Sequence, residues 1–293
     1  MEKSLPLAGR NIILTGASKG LGRHIAAALW ASGASLLITA RDGAKLAGLR
    51  DELQPTAAPG QEVHVCAVDL GAADAPATVV AAARGAWKKL DGLINNAAVL
   101  GPVGKVWEND WSEWEQAIQV DLLAPVALCR LCVPWMISGG GGKIVCLSGG
   151  GATGPRPNFA PYAISKVGIV RFCEILADEL KGSRVDVNSI APGMMYTDLV
   201  KAVIALGPSK AGAKEYDQAL KQRDASANAQ ALAAELCVFL SSSASDGITG
   251  KLISAQWDPW KDLQKHRGDL DSSDIYTLRR IVPKDRGKPW GDA

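Results

Sequence analysis

Short apolar runs alternate with longer alanine-rich stretches of helical period along most of the chain. Runs of Ile, Val and Leu without polar alternation suit a strand that is covered on both faces. They predict strands near 11–15 (NIILT), 35–39, 63–68 (VHVCAV), 91–95 (DGLIN), 143–148 (KIVCLS), 184–190 (RVDVNSI) and 251–254, with helices between them. Strands alternating with helices predict an α/β fold, a doubly wound parallel sheet of about seven strands with helices on both faces.

Two stretches leave this pattern. Residues 194 to about 225 are charged and weakly periodic, and they predict a pair of short helices over the carboxyl edge of the sheet, where ligands bind in such folds. From Gln256 onward the chain has little periodicity, two close tryptophans and many charges. The expected organisation is one domain over 1–255 and a tail, 256–293, packed on it without a core of its own. Trp257, Trp260, Tyr276, Leu278 and Ile281 would be the tail's buried anchors.

Composition narrows the partners. With 293 residues, 47% of them hydrophobic, the chain can bury one large core. Its 32 basic and 30 acidic residues leave a formal charge of +2. No net field would hold it on nucleic acid or an anionic membrane, so a small-molecule partner is expected. The six cysteines (66, 129, 132, 146, 173 and 237) lie mostly in apolar runs, as reduced, buried thiols do. Cys129 and Cys132 form a C-x-x-C without a second ligand pair, which reads as helix packing. His24, His64 and His266 have no carboxylates at ligand spacing and read as structural or surface residues, so no metal is expected. The start, MEKSLPLAGR, has no cationic segment followed by an apolar run, and no uncharged run reaches about 18 residues, so a cytoplasmic protein is expected.

The first strand leads straight into TGASKGLGRHIAAAL. Glycine is needed there because backbone must approach a pyrophosphate closely, while amides at a helix N-terminus supply partial positive charge. Gly16, Gly20 and Gly22 stand between an apolar strand and an alanine-rich helix, which makes the spacing specific. The second strand ends in Thr39, Ala40 and Arg41, without the acidic residue that accepts from ribose hydroxyls in NAD-selective sites. Arg41 can clamp a 2′-phosphate, and Lys19 in the glycine loop adds a second cation. Asp42 beside Arg41 competes for it. NADP is favoured over NAD.

With TGASKGLG (15–22), NNAA (95–98), YAISK (162–166) and APGMMYT (191–197) in this order, the chain resembles the short-chain dehydrogenase/reductase family over roughly residues 7 to 254. The resemblance implies a Rossmann-type fold in which Gly16, Ser18, Lys19, Gly20, Leu21 and Gly22 hold the pyrophosphate and Arg41 meets the adenosine ribose. It places Asp69 and Leu70 beside the adenine, Asn96 under the nicotinamide ribose, and Met195 and Thr197 on the carboxamide side of the nicotinamide. It implies Tyr162 as acid or base with Lys166 four residues on, so that one helix face carries both and a fixed cation favours the ionised phenol. It also implies a homo-oligomer built on long helices near 112–136 and 161–181, whose apolar faces include Val126 and Phe172.

The pattern departs from the family at three places. The usual catalytic serine position falls on Gly149, with Ser148 one residue earlier. A bulge at glycines 149 to 151 would swing the Ser148 hydroxyl into the site, whereas an unbroken strand would turn it away. The usual asparagine position holds Asp121, which can replace a backbone carbonyl function but, ionised, not an amide donor. The glycine-rich ending after the last strand is replaced by ISAQWDPW, which removes the usual basis for a last-strand assembly interface. Trp107, Trp111 and Trp114 recur at helical spacing and read as packing or a subunit contact.

The expected function is NADP-dependent hydride transfer between a nicotinamide and a small-molecule carbonyl or secondary alcohol. Tyr162 would move the proton, Lys166 hold the cofactor ribose, and Ser148 steady the oxygen. The alternative is a nucleotide-binding scaffold or regulator of the same fold that has lost turnover.

Overall fold

The computed structural model describes residues 5–223 and 228–290. Residues 1–4, the end of the charged segment at 224 and 225, and tail residues 291–293 lie outside the described residues. The strands are β1 (Asn11–Thr15), β2 (Ser35–Ala40), β3 (Val63–Ala67), β4 (Gly92–Asn95), β5 (Gly142–Leu147), β6 (Val185–Ala191) and β7 (Leu252–Ser254). They form one parallel sheet in the order β3-β2-β1-β4-β5-β6-β7. The chain winds outward from β1 in one direction and from β4 in the other, which opens a crevice at their carboxyl ends. Each strand lies within a residue of its expected ends.

Between the strands run α1 (Gly20–Ala31), α2 (Gly43–Leu53), α3 (Ala75–Ala86), α4 (Trp111–Ile118), α5 (Ala124–Ser138), α6 (Ala160–Glu179), α7 (Asp198–Ala211), α8 (Ala213–Arg223) and α9 (Asn228–Ser241). Successive strand residues point to opposite faces, so a run such as NIILT must feed two cores. Ile12 and Leu14 pack with Ile25 of α1 and Leu236 of α9 on one face. Ile13 packs with Val79 of α3, Leu128 of α5 and Ile169 of α6 on the other. Cys129 and Cys132 belong to this second core as free, buried thiols.

The helical stretch Trp111–Ser138 is long and apolar enough to cross a membrane, yet half of its apolar window is buried inside the fold, as in a core helix. A π-helical segment, Gln119–Leu123, interrupts it and carries Asp121 inward. Trp111 and Trp114 stack at 5.5 Å, but Trp107 and Trp111 are 81% and 65% exposed, so the tryptophan stripe is not core.

The charged segment forms α7 and α8, with α7 broken at Gly207, where φ is +73°. Val203, Ala211 and Ala219 from these helices enclose Phe159, which is fully buried. The tail continues as a 3-10 turn, Trp260–His266, and α10 (Arg267–Ser272). Trp260, Leu263 and Leu270 join the core of α1 and α9. The Leu252 amide donates to the Tyr276 carbonyl (2.8 Å), and Lys251 Nζ donates to the carbonyls of Ser273 and Ile275. The tail thus pairs with the outer edge of β7, a row of amides that would otherwise be open to another chain. Of the expected anchors Trp260 is buried and Tyr276 and Leu278 half-buried, but two are exposed: Trp257 at 66% and Ile281 at 58%. In an aperiodic segment the apolar count does not say which side chains reach the core.

Because Leu263 is 2% exposed, Leu263→Ala should lower the unfolding free energy by about 2–5 kcal/mol, measured by chemical denaturation. Ile281→Ala should leave it within about 0.5 kcal/mol. Equal effects would mean that the tail does not share the domain core.

Candidate active site

The glycine loop closes against its neighbours. Gly16 has φ +68°, and a Cβ built on it would lie 2.7 Å from the Ala97 Cα; one on Gly22 would lie 2.1 Å from the Gly16 carbonyl oxygen. The amides of Gly16 and Ala17 donate to the Thr39 carbonyl. Just past β4, the Asn96 amide nitrogen Nδ2 donates to the carbonyls of Thr15 (2.9 Å) and Gly16 (3.2 Å). Thr15 Oγ1 accepts from the backbone amides of Asn96 and Ala97, both at 3.0 Å. Asn96 therefore spends its side-chain donors on the loop, and Thr15, which the sequence did not single out, is its partner. Leu21 points into the core, while Ser18 is half-buried in the loop. At the head of α1 no side chain caps the helix, and its first turn holds no acidic residue. The free amides there fit an anionic pyrophosphate.

At the end of β2, Asp42 caps α2. The Lys45 amide first (3.0 Å), and then its ammonium, hold the Asp42 carboxyl below its ordinary value. Asp42 is thus committed away from Arg41, which is exposed and, among the described residues, forms no ion pair. Lys19 does not stand free as a second cation. Its Nζ lies 2.7 Å from Asp198 Oδ2 at the head of α7, joining the glycine loop to the charged segment. Asp69 is exposed and accepts from the Gly71 amide, and Leu70 beside it is buried.

Helix α6 carries Tyr162 and Lys166 one turn apart, and they are 8% and 3% exposed. Lys166 Nζ donates to the Leu147 carbonyl at the end of β5 (3.1 Å) and lies 5.3 Å from the centre of the Tyr162 ring. Asp121 accepts from the Val99 amide at 2.8 Å through Oδ1, while its buried Oδ2 has no partner. Burial pushes its carboxyl up to about 6, against the attraction of Lys166 and the Val99 hydrogen bond.

Ser148 lies one residue past the end of β5, and its amide donates to the Ile190 carbonyl at 2.8 Å. Its hydroxyl is buried without a hydrogen-bond partner, so it makes no bond to Tyr162. Gly149 faces the phenol instead: a Cβ built on it would lie 2.5 Å from Tyr162 Oη. The chain turns only at Gly151, where φ is +98°.

Two further residues shape the site. Gln256, the first residue of the tail, fills the space over Gly193 and accepts from the Met194 amide (3.1 Å). It thereby supports the loop that carries half-buried Met195 and Thr197 to the head of α7. Arg156 lies over the Phe159 ring at 4.2 Å and the Tyr162 ring at 5.5 Å. Its signal in the sequence is its place between the three glycines and the tyrosine. His24 only approaches the Gly20 carbonyl from α1, and among the described residues no three His, Cys, Asp or Glu side chains gather as metal ligands.

The Asp121 carboxyl binds its proton more tightly in the fold than unfolded, so its favourable contribution is complete below about pH 4 and lost as pH rises through about 6. Asp121→Asn, neutral throughout, should gain stability relative to the parent by on the order of 2–3 kcal/mol between about pH 4 and pH 8. Denaturant unfolding at the two pH values reads this directly. A difference independent of pH would count against an ionising, poorly solvated Asp121.

Comparison with known proteins agrees with this geometry. The short chain dehydrogenase family model matches residues 10–205. A short-chain type dehydrogenase/reductase of Picea abies is 28% identical, over 84% of this chain and 91% of its own. The 2-dehydro-3-deoxy-L-rhamnonate dehydrogenase (NAD(+)) of a Sphingomonas species is 31% identical, over 66% and 75%. Among solved structures, a candidate NAD(P)-dependent gluconate 5-dehydrogenase of Beutenbergia cavernae, with NADP bound at low occupancy, superposes with a TM-score of 0.74 and 26% identity, covering 86% of this chain and 97% of that one. With its parallel seven-stranded sheet, its braced glycine loop and a family match over two thirds of its length, the chain belongs to the short-chain dehydrogenase family.

Proposed function

We propose that this chain is an NADP(H)-dependent oxidoreductase acting on a small-molecule carbonyl or secondary alcohol, with Tyr162 as general acid and base. The observation that carries the reading is the buried Lys166 ammonium beside the Tyr162 phenol, at the carboxyl end of β5. The bound nicotinamide would supply or accept the hydride. In the reducing direction the phenol gives its proton to the carbonyl oxygen, and in the oxidising direction it takes one from the alcohol. The Lys166 ammonium stabilises the phenolate left behind and is positioned to meet the cofactor ribose. Gly149 makes room for the phenol itself, since a side chain there would meet Tyr162 Oη. The alternative of an inactive scaffold draws on Asp121 and the missing serine, but both leave the Tyr162–Lys166 pair in place.

Arg41 supports NADP as the cofactor, because Asp42 is occupied by α2 and no acid closes β2. The relatives do not decide the matter, since one is named for NAD(+) and another holds NADP. NADPH should bind more tightly than NADH in a fluorescence titration. Arg41→Ala should weaken NADPH by on the order of tenfold or more while leaving NADH unchanged. Equal affinities in the parent protein would sink the preference.

Tyr162→Phe should abolish turnover and leave NADPH binding nearly intact. Ser148→Ala should keep kcat within about threefold, because Gly149 and not Ser148 is the residue that lies against the Tyr162 hydroxyl. A hundredfold fall on Ser148→Ala would show that the hydroxyl reaches the site during turnover.

A homo-oligomer is proposed on the α5 face and the part of the α6 face beyond the tail, where Leu131, Ile137, Ile164 and Ile175 are exposed; the tail covers β7 and, through Leu278, bonds Arg171 and Glu174 of α6. Sedimentation at micromolar concentration should give more than one copy. A monomer would contradict it.

A further inference from the structure

Arg156 stands in the turn between β5 and α6 with most of its side chain buried, 20% remaining exposed. Its plane is packed over the Phe159 ring at 4.2 Å, and its Nε donates to Glu215 Oε2 of α8 at 2.9 Å. These contacts fix the guanidinium and use one of its donors. Among the described residues its Nη1 and Nη2 groups make no hydrogen bond, although Nη1 would lie only 3.6 Å from a Cβ built on Gly150. A positioned guanidinium with its terminal fork unspent thus borders the glycine floor that faces the Tyr162 hydroxyl.

Two parallel N–H donors in one plane match a carboxylate. Charge favours a single negative group over a phosphate dianion. Glu215 already offsets part of the Arg156 charge, which leaves less than one full positive charge for the ligand. With the Arg156 guanidinium 5.5 Å from the Tyr162 ring, a molecule touching both must place its carboxylate within a few carbons of its carbonyl.

Resting on the oxidoreductase reading above, we infer that the substrate is a short oxo acid, or the matching hydroxy acid, whose carboxylate is bound by the terminal fork of Arg156. Glu215 holds the guanidinium in place from the opposite side. Arg156 is then a specificity-determining residue, and the reaction at Tyr162 is unchanged by it in kind.

The test pairs acids with their methyl esters: pyruvate, acetoacetate, levulinate and benzoylformate, each followed by NADPH absorbance. At least one acid should exceed its ester by about tenfold or more in kcat/KM, the difference lying in KM, as expected for a charge-assisted hydrogen bond. Arg156→Gln should bring the acid-to-ester ratio close to one by raising KM for the acid. Arg156→Lys, which keeps the charge and loses the fork, should fall between, and it stands in if the Gln variant does not fold. Esters used as well as acids, or an acid preference that survives both substitutions, would overturn the inference. If no compound in either set is turned over although NADPH binds, the oxidoreductase reading fails, and the Arg156 site is then read by calorimetry on the NADP-loaded protein. There, acids binding more tightly than esters, with the difference lost on Arg156→Gln, supports the carboxylate site; equal binding, or none, refutes it.

Discussion

A charge kept out of water organises the site. The Lys166 ammonium is 3% exposed, and a buried cation is tolerated where hydrogen-bonding dipoles replace its hydration. Here the dipole is the carbonyl of Leu147, the last residue of β5, and Asp121 adds an attraction smaller than the cost of burying its own charge. The β5 carbonyl is therefore free for Lys166 only because the strand ends there, and Asp121 reaches inward only because the long helix carries a π turn at 119–123. Strand end, π turn and α6 must meet at one point, and Tyr162 is placed by that meeting.

Much of this was legible because it follows from periodicity and from local chemistry. A strand such as NIILT that serves two cores must be apolar at every position, and Ile12 and Ile13 do divide between the two faces. The glycine loop and the Tyr162–Lys166 spacing are likewise local patterns. What stayed hidden depends on partners distant in sequence. Thr15 is braced by residues 81 and 82 positions away, and Arg156 meets Glu215 across 59. Ser148 was ambiguous for another reason. Glycines permit a bulge without requiring one, and past the end of β5 the Ser148 amide still bonds the Ile190 carbonyl before the chain turns at Gly151. In the tail, Trp257 and Trp260 stand three residues apart with opposite fates, since no regular element sets their faces.

Two of the three departures from the family pattern, both in the site, differ in physical kind. Gly149 is a subtraction that the tyrosine has taken up: its ring occupies space in which any side chain at 149 would collide with Oη. Restoring a serine there would displace the phenol before it added a donor. Asp121 is a substitution that leaves a buried Oδ2 without a protein partner, and its raised pKa expresses the cost of that burial.

The brace between Thr15 and Asn96 has a consequence for the order in which the molecule becomes competent. Chains emerge from the ribosome amino end first, and β1 finds β2 within a few tens of residues, but its other neighbour is β4. The hydrogen bonds that hold Thr15 and the Gly16 carbonyl come from Asn96 and Ala97. A nascent chain that stops short of Ala97 therefore carries every glycine of the nucleotide loop without the polar frame that gives the loop its shape.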